Sequence, residues 1–182
     1  YTESVVMLLF AGPIAYSGGI QGGHFPLGAK EFVTEAAGNV LYRIGKERAF
    51  DYFHRYVGDY DLFMNYCLAV YPEGGDRFYV RSAPRSDPET GTVTLNGNVG
   101  EGAMVQIGMA DKETLIDSCL CSLQQAMKTF PGEAPAVALV FSCAGRKMSM
   151  GTQIVREVQT VQSQLPTIPF AGFYCYGEFG PL

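Results

Sequence analysis

The hydrophobic and polar positions in the middle of the chain favour short strands. Apolar runs, or runs in which apolar and polar residues alternate, are separated by turn-forming glycine, proline and asparagine. Segments of this kind cover residues 32–44, 66–71, 77–83, 92–95 and 103–109. Short strands divided by turn signals favour antiparallel pairing between neighbours. The sequence therefore predicts a hairpin or a bent strand at 32–44 and an antiparallel meander in the middle of the chain.

Other segments place apolar residues three and four positions apart, which is the spacing of one face of a helix. These segments are 46–57, 111–130 and 154–165. Gly58 is expected to end the first helix, because glycine is common just beyond a helix end. Asp111 is a candidate N-cap for the second, because its carboxylate can accept hydrogen bonds from free backbone N–H groups.

The C-terminal third ends in a strand–helix–strand unit. Residues 136–142 form the most hydrophobic strand candidate and are expected to lie centrally in a sheet, and a last strand covers 170–176. Such a connection within one sheet is right-handed and makes its two strands parallel. The predicted fold class is α+β, with a mixed, largely antiparallel sheet, helices packed mainly on one face and a C-terminal β-α-β crossover.

The N-terminal part of the chain has a different character. Residues 4–10 form an apolar run that predicts a buried strand, and residues 11–28 are rich in glycine, which favours a loop or junction. The chain begins without a methionine and enters this apolar run almost at once, so we expect a fragment of a longer protein. We divide it into residues 1–31, a tail and junction loop, and residues 32–182, the main domain.

Composition and charge narrow the class of protein. The chain has 182 residues, of which 47% are hydrophobic and 17% are charged, as in globular domains. Its net charge of −5 argues against a nucleic-acid partner, which requires a basic surface. No apolar run approaches the ~20 residues that cross a bilayer. We therefore expect no membrane insertion and a cytoplasmic location.

The five cysteines show no spacing typical of a metal site. They form no CxxC pair and have no histidine at zinc spacing, so we expect no metal and mostly buried, reduced thiols. Cys143 is the most interesting of them, because it follows a buried strand and precedes Arg146. A nearby guanidinium can activate a thiol as a nucleophile or redox sensor. The alternative is a small residue that only packs at the strand end.

Two motifs near the C-terminus resemble a known family. Residues 138–146 read Ala-Leu-Val-Phe-Ser-Cys-Ala-Gly-Arg, and residues 172–178 read Gly-Phe-Tyr-Cys-Tyr-Gly-Glu. They resemble the end motifs of the FIST C-terminal domain, an apolar strand closing in Phe-Ser-Cys-x-x-Arg and a later strand closing in Gly-Phe-x-x-x-Gly-Glu. From residue 32 onwards, further segments resemble those of the family more weakly and occur in the same order. Residues 1–31 then resemble the tail of the family's N-terminal part.

The resemblance implies an intracellular sensory input module that binds a small ligand and is joined to a signalling output domain. Arg146 and Glu178 lie just past strands that we expect to be parallel, and the carboxyl ends of such strands gather ligands. The planar guanidinium of Arg146 suits a carboxylate, and Glu178 would hold an amine or orient the arginine. The alternative is an Arg146–Glu178 ion pair that only ties the strand ends together.

Further residues are candidates for the same site. Tyr176 and the backbone near Cys143 would contribute walls or contacts. Arg81 ends an alternating strand and could join them, although a solvated strand residue is the simpler interpretation. His24 lies in a glycine-rich loop, where it is either an exposed residue or an axial haem ligand.

The leading hypothesis is a sensory domain that binds a small ligand, such as an amino acid or a related anion. The alternatives are a haem-based nitric-oxide sensor that uses His24, a thiol-based redox sensor at Cys143, and a protein-interaction scaffold. We expect no resident cofactor in the leading case. We also expect no enzymatic activity, because no Ser/His/Asp arrangement or carboxylate cluster is visible; Cys143 would be the residue of an enzymatic alternative.

Overall fold

The computed structural model describes residues 7, 9–58, 65–72 and 75–178. Eight strands in this part of the chain pair into one large sheet. They are β1 (Phe25–Ala37), β2 (Val40–Ile44), β3 (Glu47–Arg48), β4 (Tyr66–Tyr71), β5 (Tyr79–Ser82), β6 (Arg85–Asp87), β7 (Thr92–Thr94) and β8 (Met104–Met109). Their order is β5-β4-β8-β1-β2-β7-β6, with β3 paired to β2.

All these pairings are antiparallel, as predicted. The sequential meander was wrong, because β8 lies between β4 and β1. Turn residues specify local hairpins such as β4–β5 and β6–β7. Pairing between distant strands depends on how hydrophobic faces match across the sheet, which a local pattern does not encode.

Helix α1 (Ala49–Val57) packs against the large sheet. Its buried residues are Ala49, Tyr52, Phe53 and Val57, at the predicted helical spacing. Three of them join the main core with strand residues such as Leu41 and Ile107. The helix ends at Gly58, whose φ of 67° lies in the left-handed region that glycine readily adopts.

The C-terminal part forms a second, smaller layer. It comprises α2 (Lys112–Thr129), β9 (Ala138–Cys143), α3 (Ala144–Met150), a turn of 3-10 helix (Gly151–Ile154), α4 (Val155–Gln164) and β10 (Phe170–Cys175). The Asp111 carboxylate accepts a hydrogen bond from the Thr114 N–H at 2.8 Å, so the predicted N-cap is confirmed. Strands β9 and β10 are parallel and are joined through α3 and α4. The predicted α+β class and its C-terminal crossover are confirmed.

The predicted central position of β9 was wrong. β9 and β10 form a two-stranded sheet of their own. Ala138 and Val140 pack against the cluster that α2 and α4 contribute, whereas Leu139 and Phe141 are 47% and 51% exposed. A continuous apolar run is typical of a strand whose two faces are both buried. In the described part of the chain, helices cover one face only.

The N-terminal segment lies along α2 and leads into β1. The Ser17 hydroxyl donates a hydrogen bond to the Ala126 carbonyl at 2.7 Å. The buried strand predicted at 4–10 falls mostly outside the described residues, and the described Met7, Leu9 and Phe10 are exposed and lie in no strand. Strand β1 begins at Phe25 and runs through the boundary placed between residues 31 and 32. The division into 1–31 and 32–182 stays a prediction.

Candidate functional site

A buried ion pair lies at the carboxyl end of β9. The guanidinium of Arg146 donates from Nη2 and Nε to Oε1 of Glu157, at 2.7 and 3.0 Å. The two side chains are only 10% and 6% exposed. Such a pair stabilises a fold only where geometry is good and further hydrogen bonds satisfy the remaining polar atoms.

Neighbouring residues supply those further hydrogen bonds. Arg146 Nη1 donates to the Ser118 hydroxyl at 2.8 Å, and Nη2 donates to the Leu115 carbonyl at 2.6 Å. The Ser142 hydroxyl donates to the second carboxylate oxygen of Glu157 at 2.9 Å. We call Arg146, Glu157, Ser118 and Ser142 the Arg146 cluster.

The chain brings this cluster together from four elements. Ser142 is near the end of β9, Arg146 is in the first turn of α3, Glu157 is in the first turn of α4 and Ser118 is on α2. Ser142 and Arg146 are set by the turn from strand into helix. The cluster therefore fixes α2 and α4 against the end of the parallel strand pair.

The hydrogen bonds of Arg146 leave few of its N–H donors available to a ligand. A guanidinium has five N–H donors, and the four bonds above use four of them. No bond to the remaining Nη1 donor is recorded within the described ranges. Arg146 can thus offer one N–H and its charge to a further group while it keeps its pair with Glu157.

His24 lies close to Arg146. Burial is the main cause that lowers the pKa of His24; the backbone of Gly22 raises it in part, and the positive charge of Arg146 lowers it further. Its Nδ1 atom is buried and has no hydrogen bond of standard geometry to the described residues. Gly23 permits this approach: its φ is 74°, and a Cβ there would lie 2.7 Å from the Ser118 hydroxyl oxygen.

Glu178 approaches the same guanidinium from the end of β10. Desolvation raises the pKa of its carboxyl, whereas the charge of Arg146 lowers it. No hydrogen bond between Glu178 and Arg146 is recorded; the partner of Arg146 is Glu157. The arginine–glutamate pair considered for the strand ends therefore does involve Arg146, but the partner of Arg146 is Glu157 and not Glu178. Glu157 lies in a helix outside both motifs, so no local spacing pointed to it.

The remaining candidates are placed less centrally. Tyr176 is 94% exposed beyond the end of β10. Tyr174, one position inside the strand, lies by the cluster instead: burial and then the charge of Glu157 raise its pKa. Cys143 ends β9, is partly exposed, and faces Cys175 in register on β10.

Arg81 lies elsewhere in the fold. It is on β5 of the large sheet, where its guanidinium is 4.5 Å from the Tyr79 ring and packs against Gly97. No contact of Arg81 with the Arg146 cluster is recorded among the described residues. The structure therefore brings Arg146, Glu178, Cys143 and His24 to one region, and leaves Arg81 in another.

The described residues contain no group of three or more His, Cys, Asp or Glu side chains that could hold a metal ion. A haem ligated by His24 stays a prediction.

A surface cavity of about 440 Å³ lies on the large sheet, away from the Arg146 cluster. It is lined by residues of β1, β2, β3 and α1, including Glu31, Glu47, Tyr52 and Arg55. Arg55 and Glu47 form an ion pair across it at 2.8 Å. None of the candidate residues from the sequence analysis lines this cavity.

Comparison with known proteins supports one family. The FIST C domain family model matches residues 49–181. Uncharacterized protein Mb0898c of Mycobacterium bovis is 33% identical over 111 residues, which cover 61% of this chain and 28% of that protein. Uncharacterized protein MT0656 of Mycobacterium tuberculosis is 34% identical over 115 residues, which cover 63% and 29%. No solved structure matches the chain.

The match to the relatives therefore spans less than a third of their length. The family match covers more than half of this chain and includes β9, β10, Arg146 and Glu157. No described helix is both long and apolar enough to cross a membrane. On the extent of the family match, the chain belongs to the FIST C domain family.

Proposed function

We propose that this chain is the ligand-binding part of a sensory domain, and that its ligand is a small carboxylate such as an amino acid. FIST domains are generally sensory domains of signal transduction. The proposal places the ligand at the carboxyl ends of β9 and β10, in a protein of the cytoplasm whose signal is passed to an attached output domain. Its role is binding rather than catalysis.

The proximity of His24, Arg146 and Glu178 supports this site. Arg146 affects the pKa of both His24 and Glu178, so both groups lie within electrostatic reach of its guanidinium. They come from the N-terminal segment, α3 and the end of β10. Ligands of open sheets commonly bind outside the carboxyl ends of parallel strands.

The chemistry of these groups selects the ligand class. A ligand carboxylate would accept a hydrogen bond from the remaining Nη1 donor of Arg146 and from an N–H of neutral His24. A ligand ammonium group would pair with Glu178. A molecule that carries both charges, as an amino acid does, satisfies all three residues. Neither a simple cation nor a neutral sugar would do so.

Binding would reach the output domain through the helices. Arg146 is hydrogen-bonded to α2 and α4, so a ligand that prefers one position of the guanidinium favours one arrangement of these helices. A ligand shifts a conformational equilibrium only by its difference in affinity for the two states. The proposal therefore requires ligand contacts that depend on the position of Arg146.

Thermal unfolding with a panel of amino acids and their decarboxylated or amidated analogues tests the proposal. A ligand at 100 times its Kd adds about 2.7 kcal/mol to the free energy of unfolding. We expect stabilisation by free amino acids, and none by analogues without the carboxylate. Glu178→Gln and His24→Asn should remove the effect without breaking the Arg146–Glu157 pair.

Glu133→Gln is the matched control, since Glu133 is an exposed glutamate in the α2–β9 connection, at the opposite end of β9. It should respond to the panel as the wild type does. A panel without effect on the wild type, or a response that survives in both site variants, would contradict the proposed function.

A further inference from the structure

One face of the β9–β10 sheet points away from the helices. We call it the outer face; it consists of Leu139, Phe141 and Cys143 on β9, and Ala171, Phe173 and Cys175 on β10. These residues alternate with those that pack against α2 and α4. The rings of Phe141 and Phe173 lie edge to face with their centroids 5.1 Å apart, as expected for register partners on one face.

The next register pair on the outer face is Cys143 with Cys175. Neighbouring strands lie about 4.8 Å apart, so register partners have Cα atoms at about that distance. A disulfide bond requires Cα atoms roughly 4.4–6.8 Å apart and Cβ atoms on the same side. Both cysteines are free and partly exposed. The strand pairing thus places the two Cα atoms within the range of a disulfide and both side chains on the same side of the sheet.

We infer that Cys143 and Cys175 form a redox pair, which a peroxide oxidises to an intrachain disulfide bond. The Cys143 thiolate attacks one peroxide oxygen, the O–O bond breaks, and a sulfenic acid forms while hydroxide leaves and takes up a proton. The Cys175 sulfur then attacks the Cys143 sulfur, the S–O bond breaks, and a second water leaves. Two thiols and one hydrogen peroxide give one disulfide and two waters: the sulfurs are oxidised and the peroxide oxygens are reduced.

The environment of Cys175 supports this order of steps. Burial, then Glu178 and then Cys143 raise the pKa of the Cys175 thiol. Less thiolate at Cys175 favours its role as the second, resolving thiol.

The other three cysteines provide internal controls. Cys67 and Cys119 are buried, and burial raises their pKa to about 12 and about 11. Cys121 is exposed on α2. Accessibility alone would therefore favour oxidation of Cys121, whereas strand register favours the Cys143–Cys175 pair.

The bond would connect the ends of β9 and β10 next to Ser142, which belongs to the Arg146 cluster, and Tyr174, which lies beside it. Oxidation would hold the two strand ends at one spacing. The formation of the disulfide rests on strand register and does not depend on the proposed ligand. The two ideas can therefore fail separately.

The test treats the folded chain with a stoichiometric amount of hydrogen peroxide, blocks the remaining thiols with iodoacetamide and maps the disulfides by mass spectrometry. We expect a loss of two hydrogen atoms from the intact mass before alkylation, and one cross-linked peptide pair that joins Cys143 to Cys175 in the map. Dithiothreitol should reverse both changes. Cys143→Ser and Cys175→Ser should each abolish the cross-link, whereas Cys121→Ser should retain it.

The wild-type peptide map does not depend on how well any variant folds. In urea, where strand register is lost, the preference for this pair should disappear. A different pairing, a disulfide between two chains, or overoxidation of single cysteines without the Cys143–Cys175 cross-link would overturn the inference.

Discussion

Arg146 has a structural role in its buried ion pair with Glu157 and is also a candidate ligand contact. Its motif position pointed to the carboxyl end of a strand, and the structure confirms that place. The sequence did not identify Glu157 as its partner, because that contact depends on the path of the chain through α3 and the 3-10 turn. The sequence thus predicted the position of the arginine and not its charge environment.

Glu157→Gln should strongly destabilise the fold. The substitution leaves the Arg146 charge buried without its counter-ion, and breaking a buried pair typically costs about 3–5 kcal/mol. Denaturant unfolding measures the change. Glu113→Gln is the matched control, because Glu113 forms an equally short but exposed pair with Arg156. Exposed pairs contribute little, so similar losses in the two variants would contradict the structural role of the Arg146 cluster.

His24 should make stability depend on pH. Its folded pKa is lowered, mainly by burial, so the unfolded chain binds more protons below about pH 6.5. The contribution of neutral His24 is complete above the unfolded pKa and is lost as pH falls through the lower folded value. His24→Asn should remove this slope in unfolding measured from pH 5 to 7.5.

His54→Asn controls for the removal of an imidazole, since His54 is the other histidine of the chain and lies exposed on α1. An unchanged slope in His24→Asn would show that His24 is not protected from protonation as described.

At the level of elements, hydrophobic spacing predicted most helices and strands. Helix α1, its end at Gly58, the Asp111 cap and strands β4 and β8 follow from local chemistry, and all were identified. The sequence predicted that β9 is more buried than it is in the structure, because an apolar run such as Leu-Val-Phe does not indicate which face of the strand is covered. It also missed the order of strands in the large sheet, which depends on long-range pairing.

Gly172→Ala tests the close approach of β9 and β10. A Cβ at Gly172 would collide with the Val140 carbonyl on the neighbouring strand. We expect a loss of about 1–3 kcal/mol in the free energy of unfolding, as for overpacked sites. Gly177→Ala is the control, because nothing lies within 4 Å of a Cβ built there. Equal stability of the two variants would show that the strand packing is wrong.

For the whole chain, the N-terminal segment is part of the candidate site rather than only a junction. It lies along α2 through Ser17 and Gly19 and brings His24 to Arg146. The glycine content predicted a loop, but the path of that loop depends on α2, which is distant in sequence.

Gly19→Ala should displace this segment, because its Cβ would collide with the Ser122 carbonyl on α2. His24 should then become more exposed, and its pKa should rise toward the ordinary histidine value of about 6.5. An NMR titration of the imidazole protons measures the change. Gly18→Ala, where a Cβ meets nothing within 4 Å, should leave the wild-type titration curve unchanged.

The most informative single measurement is an NMR titration of the folded chain with the amino acid that stabilises it most in thermal unfolding. Proposed binding at the ends of β9 and β10 predicts that the largest shift changes fall on His24, Arg146 and Glu178, with the His24 imidazole signals among them. Changes confined to the cavity around Glu31, Glu47 and Arg55, or no saturable change at all, would contradict a ligand site at the Arg146 cluster.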